Sequence, residues 1–119
     1  LVAYEGKTPV FATIVSTGRG PVGTEFVTRK GTHRIWVKIF TTKMDNLDKD
    51  DVEHHYAIED VPWVQFFDKA VALHGAFWHH DFGHVHSHGC ASHSCRTSPG
   101  VATTRGTMSI TTSVAARNP

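Results

Sequence analysis

Between Arg34 and Phe40 the chain alternates with a period of two: Ile35, Val37 and Ile39 interleave with Arg34, Trp36, Lys38 and Phe40. Successive side chains of an extended strand point to opposite faces, so this pattern predicts a strand with one face in the core. Val10-Phe11-Ala12-Thr13-Ile14-Val15 is a β-branched apolar run that ends at the turn cluster Ser16-Thr17-Gly18-Arg19-Gly20-Pro21. Glu25-Phe26-Val27-Thr28 is a weaker strand candidate. Val61-Pro62-Trp63-Val64-Gln65-Phe66-Phe67 is a further strand with Pro62 near its start, and Ala70-Val71-Ala72-Leu73 leads into His74-Gly75. No long amphipathic helix and no internal repeat is visible. The expected fold is mainly β, with little helix.

With 119 residues, the chain suits one domain. A net charge of +1 and the lack of a basic stripe with interleaved aromatics argue against nucleic acid as a partner. No run of about 18 apolar residues is present to span a membrane. The chain begins at Leu1-Val2-Ala3-Tyr4, without an initiator Met and inside a strand-like segment, so a fragment lacking any targeting sequence is expected. Two cysteines, Cys90 and Cys95, do not make a disulfide framework.

Residues 45–60 are acidic: Asp45, Asp48, Asp50, Asp51, Glu53, Glu59 and Asp60 outweigh Lys49. A solvated loop or short polar helix is expected. The spacing lacks the Gly and terminal Glu of an EF-hand calcium loop. From Ala91 the composition shifts again: residues 91–119 hold 11 Ser or Thr and no Asp or Glu. Residues 1–90 therefore read as the domain proper. Residues 91–119 read as an atypical tail that packs less completely, with Met108-Ser109-Ile110-Thr111 as one strand candidate.

The chemistry concentrates between residues 74 and 93, which hold His74, His79, His80, His84, His86, His88 and His93 together with Cys90. Three readings compete. The plainest is surface polarity, applied one residue at a time to His79, His80, His84, His86 and His93. A metal site would draw on Cys90, Cys95 and two histidines, yet the spacing matches no familiar zinc module. A nucleophile site needs a thiol and a base. Gly89 lets the backbone before Cys90 approach a substrate, the N–H groups of Gly89 and Cys90 are candidate oxyanion donors, and His74 is a candidate base from a separate strand.

The stretch "ALHGAFWHHDFGHVHSHGC", Ala72 to Cys90, resembles the catalytic signature of the L,D-transpeptidase family of peptidoglycan enzymes. It carries the His-Gly pair at His74-Gly75, a Phe-Gly at Phe82-Gly83, and Ser87-His88-Gly89-Cys90. Tyr56–Phe67, Tyr4–Gly20 and Gly31–Ile35 resemble upstream parts of such domains. The resemblance implies a sandwich-like or barrel-like β catalytic domain in the cell wall or periplasm, needing no cofactor and no metal. It implies Cys90 as nucleophile, His74 as proton acceptor and donor, and His88 shaping the site. Ser87, Gly89 and Gly75 take supporting or oxyanion roles, and Tyr56, Met44 and Trp78 line the substrate cleft. The implied partners are peptidoglycan tetrapeptide stems and carbapenem-type inhibitors. The implied reaction forms a 3→3 cross-link through a cysteine thioester. The alternatives are an L,D-carboxypeptidase and an impaired wall-binding domain of the same fold. The sequence departs from the family after Cys90: Ser92 stands where Arg or Asn is usual, and the aliphatic anchors are missing.

Overall fold

The structure is a computed structural model that describes residues 1–20, 27–29, 31–48, 55–87 and 89–96. The described residues are mainly β, with no helix. No helix among them is long and apolar enough to cross a membrane. Seven strands follow in chain order: β1 (Val2–Glu5), β2 (Thr8–Ala12), β3 (Val15–Ser16), β4 (Val37–Asp45), β5 (Ala57–Asp68), β6 (Val71–Ala76) and β7 (Ala91–Ser94). The first two form an antiparallel hairpin. The other five form one sheet in the order β3-β7-β6-β5-β4.

The apolar run at Val10–Val15 serves both sheets. Its first part lies in β2, paired with β1, and Val15 begins β3, paired with β7. The break falls at Thr13-Ile14, where Thr13 exchanges hydrogen bonds with Leu1 and Ile14 is exposed. The alternating segment also starts later than its pattern suggests. β4 opens at Val37, and Ile39 and Phe40 are both exposed. Among the described residues β4 is an edge of the sheet, so its apolar side chains have a neighbouring strand on one side only. In the Glu25–Thr28 candidate, Val27 and Thr28 lie outside any strand, and Glu25 and Phe26 are outside the described residues.

Strand β5 is longer than its apolar core. It takes in Ala57–Asp60, a correction to the loop or polar helix expected over 45–60. Pairing with β4 carries it there, through Met44↔Ile58 and Asp45↔Ala57. Just past the paired residues, Asn46 Oδ1 accepts the Tyr56 N–H at 2.7 Å.

The centre of the sheet is β6, paired antiparallel with β5 and parallel with β7. Residues 91–94, read from composition as the start of an atypical tail, form this β7 strand, and Ala91, Ser92 and His93 are buried. The Met108–Thr111 strand candidate lies outside the described residues. A parallel neighbour cannot be reached by a tight turn. The connection from Phe77 to Cys90 therefore crosses over, and it carries five of the ten histidines.

Alternation along β6 divides the core. Leu73 packs with Phe67 and Ala91 on one face, joined by Leu1 and Phe11 from the hairpin region and by Ile35 and Val71. Ala72 packs with Val61 and Val64 on the other, joined by Met44, Ile58, Phe66 and Cys90. Burying a Leu or Val side chain contributes about 1.5–3 kcal/mol. Leu73 and Val64, both fully buried, thus anchor the two faces.

Candidate active site

Cys90 is the last residue before β7. The parallel register sets Leu73 beside Ala91 and His74 beside Ser92. Extended one step, it sets Cys90 beside Ala72, and the Ala72 N–H accordingly donates to Cys90 Sγ at 3.4 Å. Alternation puts His74 on the same face as Ala72, so the thiol and imidazole share that face. Strand spacing places their Cα atoms roughly 8 Å apart, from about 3.3 Å of rise per residue and about 4.8 Å between strands. They do not hydrogen-bond to each other: His74 Nδ1 instead pairs with the Gly75 carbonyl at 3.0 Å. A carbonyl only accepts, so Nδ1 carries the proton and Nε2 is left as the basic nitrogen.

Electrostatics makes both groups neutral. His74 is buried, and burial lowers its pKa to about 4, opposed by the Gly75 hydrogen bond and aided by His93 and His79. Burial likewise pushes the Cys90 thiol up, and the hydrogen bond from Ala72 pulls it back. Removing a charged form from water is the common cause.

The turn before Cys90 is tied down on both sides. Gly89 has φ +116°, a conformation side-chain-bearing residues rarely adopt. Its carbonyl accepts from Thr28 Oγ1 at 2.7 Å, and the Gly18 N–H in turn donates to that hydroxyl at 2.9 Å. Ser87 Oγ donates to the Cys90 carbonyl. Arg19 N–H donates to the Ser87 carbonyl at 2.8 Å, and His86 N–H donates to the Thr17 carbonyl at 2.9 Å. Ser16 Oγ adds a bond to the Asp81 carbonyl at 2.9 Å. Residues just after Val15 thus hold the crossover loop, an arrangement that no spacing in the sequence announced. Thr28 carried no motif at all.

Met44 and Tyr56 come together on the Cys90 side. Met44 packs against the same cluster as Cys90. The Tyr56 phenol is raised above its ordinary value by burial, then by Cys90 and Asp45 nearby. Trp78 lies instead against His74, ring centroids 5.8 Å apart and planes 20° from parallel. His88 lies outside the described residues.

Surface polarity describes His80, His84 and His86, which are exposed. It fails for His93, which is fully buried, because β7 runs through the interior of the sheet. Both cysteines are free thiols. Among the described residues no group of three or more His, Cys, Asp or Glu could hold a metal. Ser92, where the resemblance expects Arg or Asn, is buried between Ser16 and His74 in the register.

A thiol just before β7 and an imidazole on the neighbouring β6, with a glycine ahead of the thiol, form a candidate cysteine–histidine site on a β sheet. The family model of the YkuD L,D-transpeptidase catalytic domain matches residues 1–98, and the chain belongs to that family. Among solved structures it is similar to an L,D-transpeptidase from Mycobacterium smegmatis at 20% identity and TM-score 0.65, covering 81% of this chain and 45% of that one. It is also similar to L,D-transpeptidase 3 from Mycobacterium tuberculosis in complex with a faropenem-derived adduct, at 24% identity and TM-score 0.62, covering 81% and 40%. A third, an L,D-transpeptidase in complex with imipenem, has 19% identity and TM-score 0.65, covering 80% and 44%. At these identities the likeness establishes the fold. The chain spans less than half the length of these proteins. No curated protein matches it.

Proposed function

We propose that the chain is the catalytic portion of a peptidoglycan L,D-transpeptidase that forms 3→3 stem-peptide cross-links in the cell wall through a thioester on Cys90. The observation that carries this reading is the placement of Cys90, just before β7, on the same face of the sheet as His74 of the adjacent β6, with Nε2 as the basic nitrogen of the ring.

The reaction starts from a neutral pair. Above about pH 4 the His74 ring is neutral, and the Cys90 thiol holds its proton beyond its ordinary range. Attack on the donor carbonyl, after the third residue of a tetrapeptide stem, forms the S–C bond as the thiol proton passes to Nε2. The departing D-alanine takes that proton as the C–N bond breaks, leaving the thioester. An acceptor-stem amine then attacks the thioester carbonyl, forming the new C–N bond and giving a proton to Nε2, and as the S–C bond breaks the departing Cys90 thiolate recovers that proton. Negative charge develops on the carbonyl oxygen in both steps. The N–H groups of Gly89 and Cys90 are the proposed donors, held by the Thr28 and Ser87 contacts. Met44 and Tyr56 line the donor side.

Incubation with a tetrapeptide-stem muropeptide, read by mass, tests the reading. The expected product is a dimer lacking one D-alanine. A tripeptide alone would replace it with carboxypeptidation, in which water resolves the thioester. A carbapenem probe is expected to give a stoichiometric adduct on Cys90. No adduct and no product from folded protein would leave a wall-binding domain.

A further inference from the structure

We infer that Trp78 is a positioning residue that holds the His74 ring in place, rather than a wall of the substrate cleft. This rests on the reading of His74 as the base.

One hydrogen bond does not fix an imidazole. The Nδ1–H to Gly75 carbonyl bond sets the tautomer and the direction of one ring edge, but the ring can still rock about that axis. A flat surface laid on the ring face removes this freedom. The Trp78 indole lies 20° from parallel to the His74 ring, with centroids 5.8 Å apart, within the offset-stacked range of aromatic pairs. The indole is itself held at its sides. Phe77 meets it edge-on at 5.1 Å and 88°, and His79 at 6.1 Å and 66°. Trp78 is 38% exposed and His74 only 4%, which makes the indole a partly wetted cover over a dry ring.

The titratable groups that act on His74 are His93 from β7 and His79 from the crossover loop. Both lower its pKa, in the same direction as burial. Removing the indole admits water to one face of the ring. That relieves the burial penalty and frees the rocking motion together.

The test compares Trp78→Ala, Trp78→Leu and Trp78→Phe in the full chain. The His74 ring is titrated by NMR, which needs no turnover, and Cys90 acylation by a carbapenem is followed against probe concentration and pH. Trp78→Ala is expected to move the His74 midpoint from about 4 toward 6.5. It should slow acylation at saturating probe and leave the half-saturating concentration in place. Trp78→Leu, which keeps apolar bulk without a flat face, should do the same in smaller measure and decides the matter if the Ala variant does not fold. Trp78→Phe should restore both readouts. An unchanged His74 titration overturns the inference, whatever happens to the rate. So does a rise in half-saturating concentration at constant maximal rate, which would mark Trp78 as a substrate contact. Failure of the parent reading looks different: His74→Ala would then acylate normally, while the effect of Trp78 on the His74 titration is read independently.

Discussion

His74 and His93 sit one step apart across the β6–β7 pair, since Gly75 is beside His93 and His74 beside Ser92. Both are buried, and burial lowers both pKa values. Each ring places Nδ1 against the carbonyl of the next residue, at 3.0 Å for His74 and 3.4 Å for His93. Local chemistry does not separate them. The face of the sheet does. His74 shares its face with Ala72 and Cys90, whereas His93 follows Ala91 onto the face covered from the hairpin side. A buried histidine becomes a candidate base here because of what the pleat puts beside it.

The thiols give the largest contrast by which to sharpen that comparison. Cys90→Ala is expected to abolish acylation, and Cys95→Ala to leave it intact, because only Cys90 lies on the His74 face. Intact-protein mass after carbapenem treatment reads this directly. Equal loss from both substitutions would tie the two cysteines to one shared role.

The histidines themselves come next. His74→Ala should slow Cys90 acylation by the ~10²–10⁴-fold typical of a positioned acid–base group. His93→Ala should leave the rate per folded molecule near that of the parent and cost stability instead, since it removes a fully buried side chain. Rate constants and urea midpoints, measured on the same samples, separate the two. Comparable rate losses from both variants would break the distinction between the faces.

Much of this arrangement is legible in the sequence. His74, Cys90 and the central strands could be read from short motifs and apolar runs, because local pattern and tertiary position agree there. His93 could not. Nothing in "CASHSC" distinguishes a buried strand from a polar tail, and Ser and His at these positions contradict the apolar character expected of an interior parallel strand. The pairing with β6 overrides composition. The tethers were equally hidden, because Thr28 and Ser16 act on carbonyls 61 and 65 residues away. Side chain to main chain bonds of that range leave no periodic trace. Asp60 and Trp63, with φ of 51° and 55°, show why the alternation along β5 could not be followed residue by residue.

The pH dependence of stability tests both faces together, with a smaller effect. His74 has a folded pKa of about 4 against 6.5 as its ordinary value. Between these values the unfolded chain binds more protons, so stability rises with pH. The contribution is fully present above pH 6.5 and is lost as pH falls toward 4, on the order of 3 kcal/mol in all. His93 is shifted in the same direction. Urea midpoints should therefore fall from pH 7 to pH 4.5 in the parent protein, and less steeply in His74→Gln. An equal slope in both proteins would mean that His74 is not held neutral by the fold.

The smallest effects belong to the crossover loop, and they decide which histidine is the base. His80 is exposed, and His79 is only partly covered, its Nδ1 accepting the Asp81 N–H at 3.2 Å. Neither ring is placed beside Cys90. His80→Ala should fall within about 0.5 kcal/mol of the parent in stability, as surface substitutions usually do. His79→Ala should cost slightly more, because its ring also meets Phe82 and His86, each at 4.8 Å. The pH profile of Cys90 alkylation should stay in place for His80→Ala, move slightly for His79→Ala, whose ring lowers the His74 pKa, and change most for His74→Ala. The alkylation profile reports the thiol and its partner without requiring a peptidoglycan substrate, so it isolates proton transfer from binding. A profile that shifts in His79→Ala and holds in His74→Ala would move the base from the strand to the loop. The shared face of β6 and Cys90 would then be a packing surface and no longer the catalytic one.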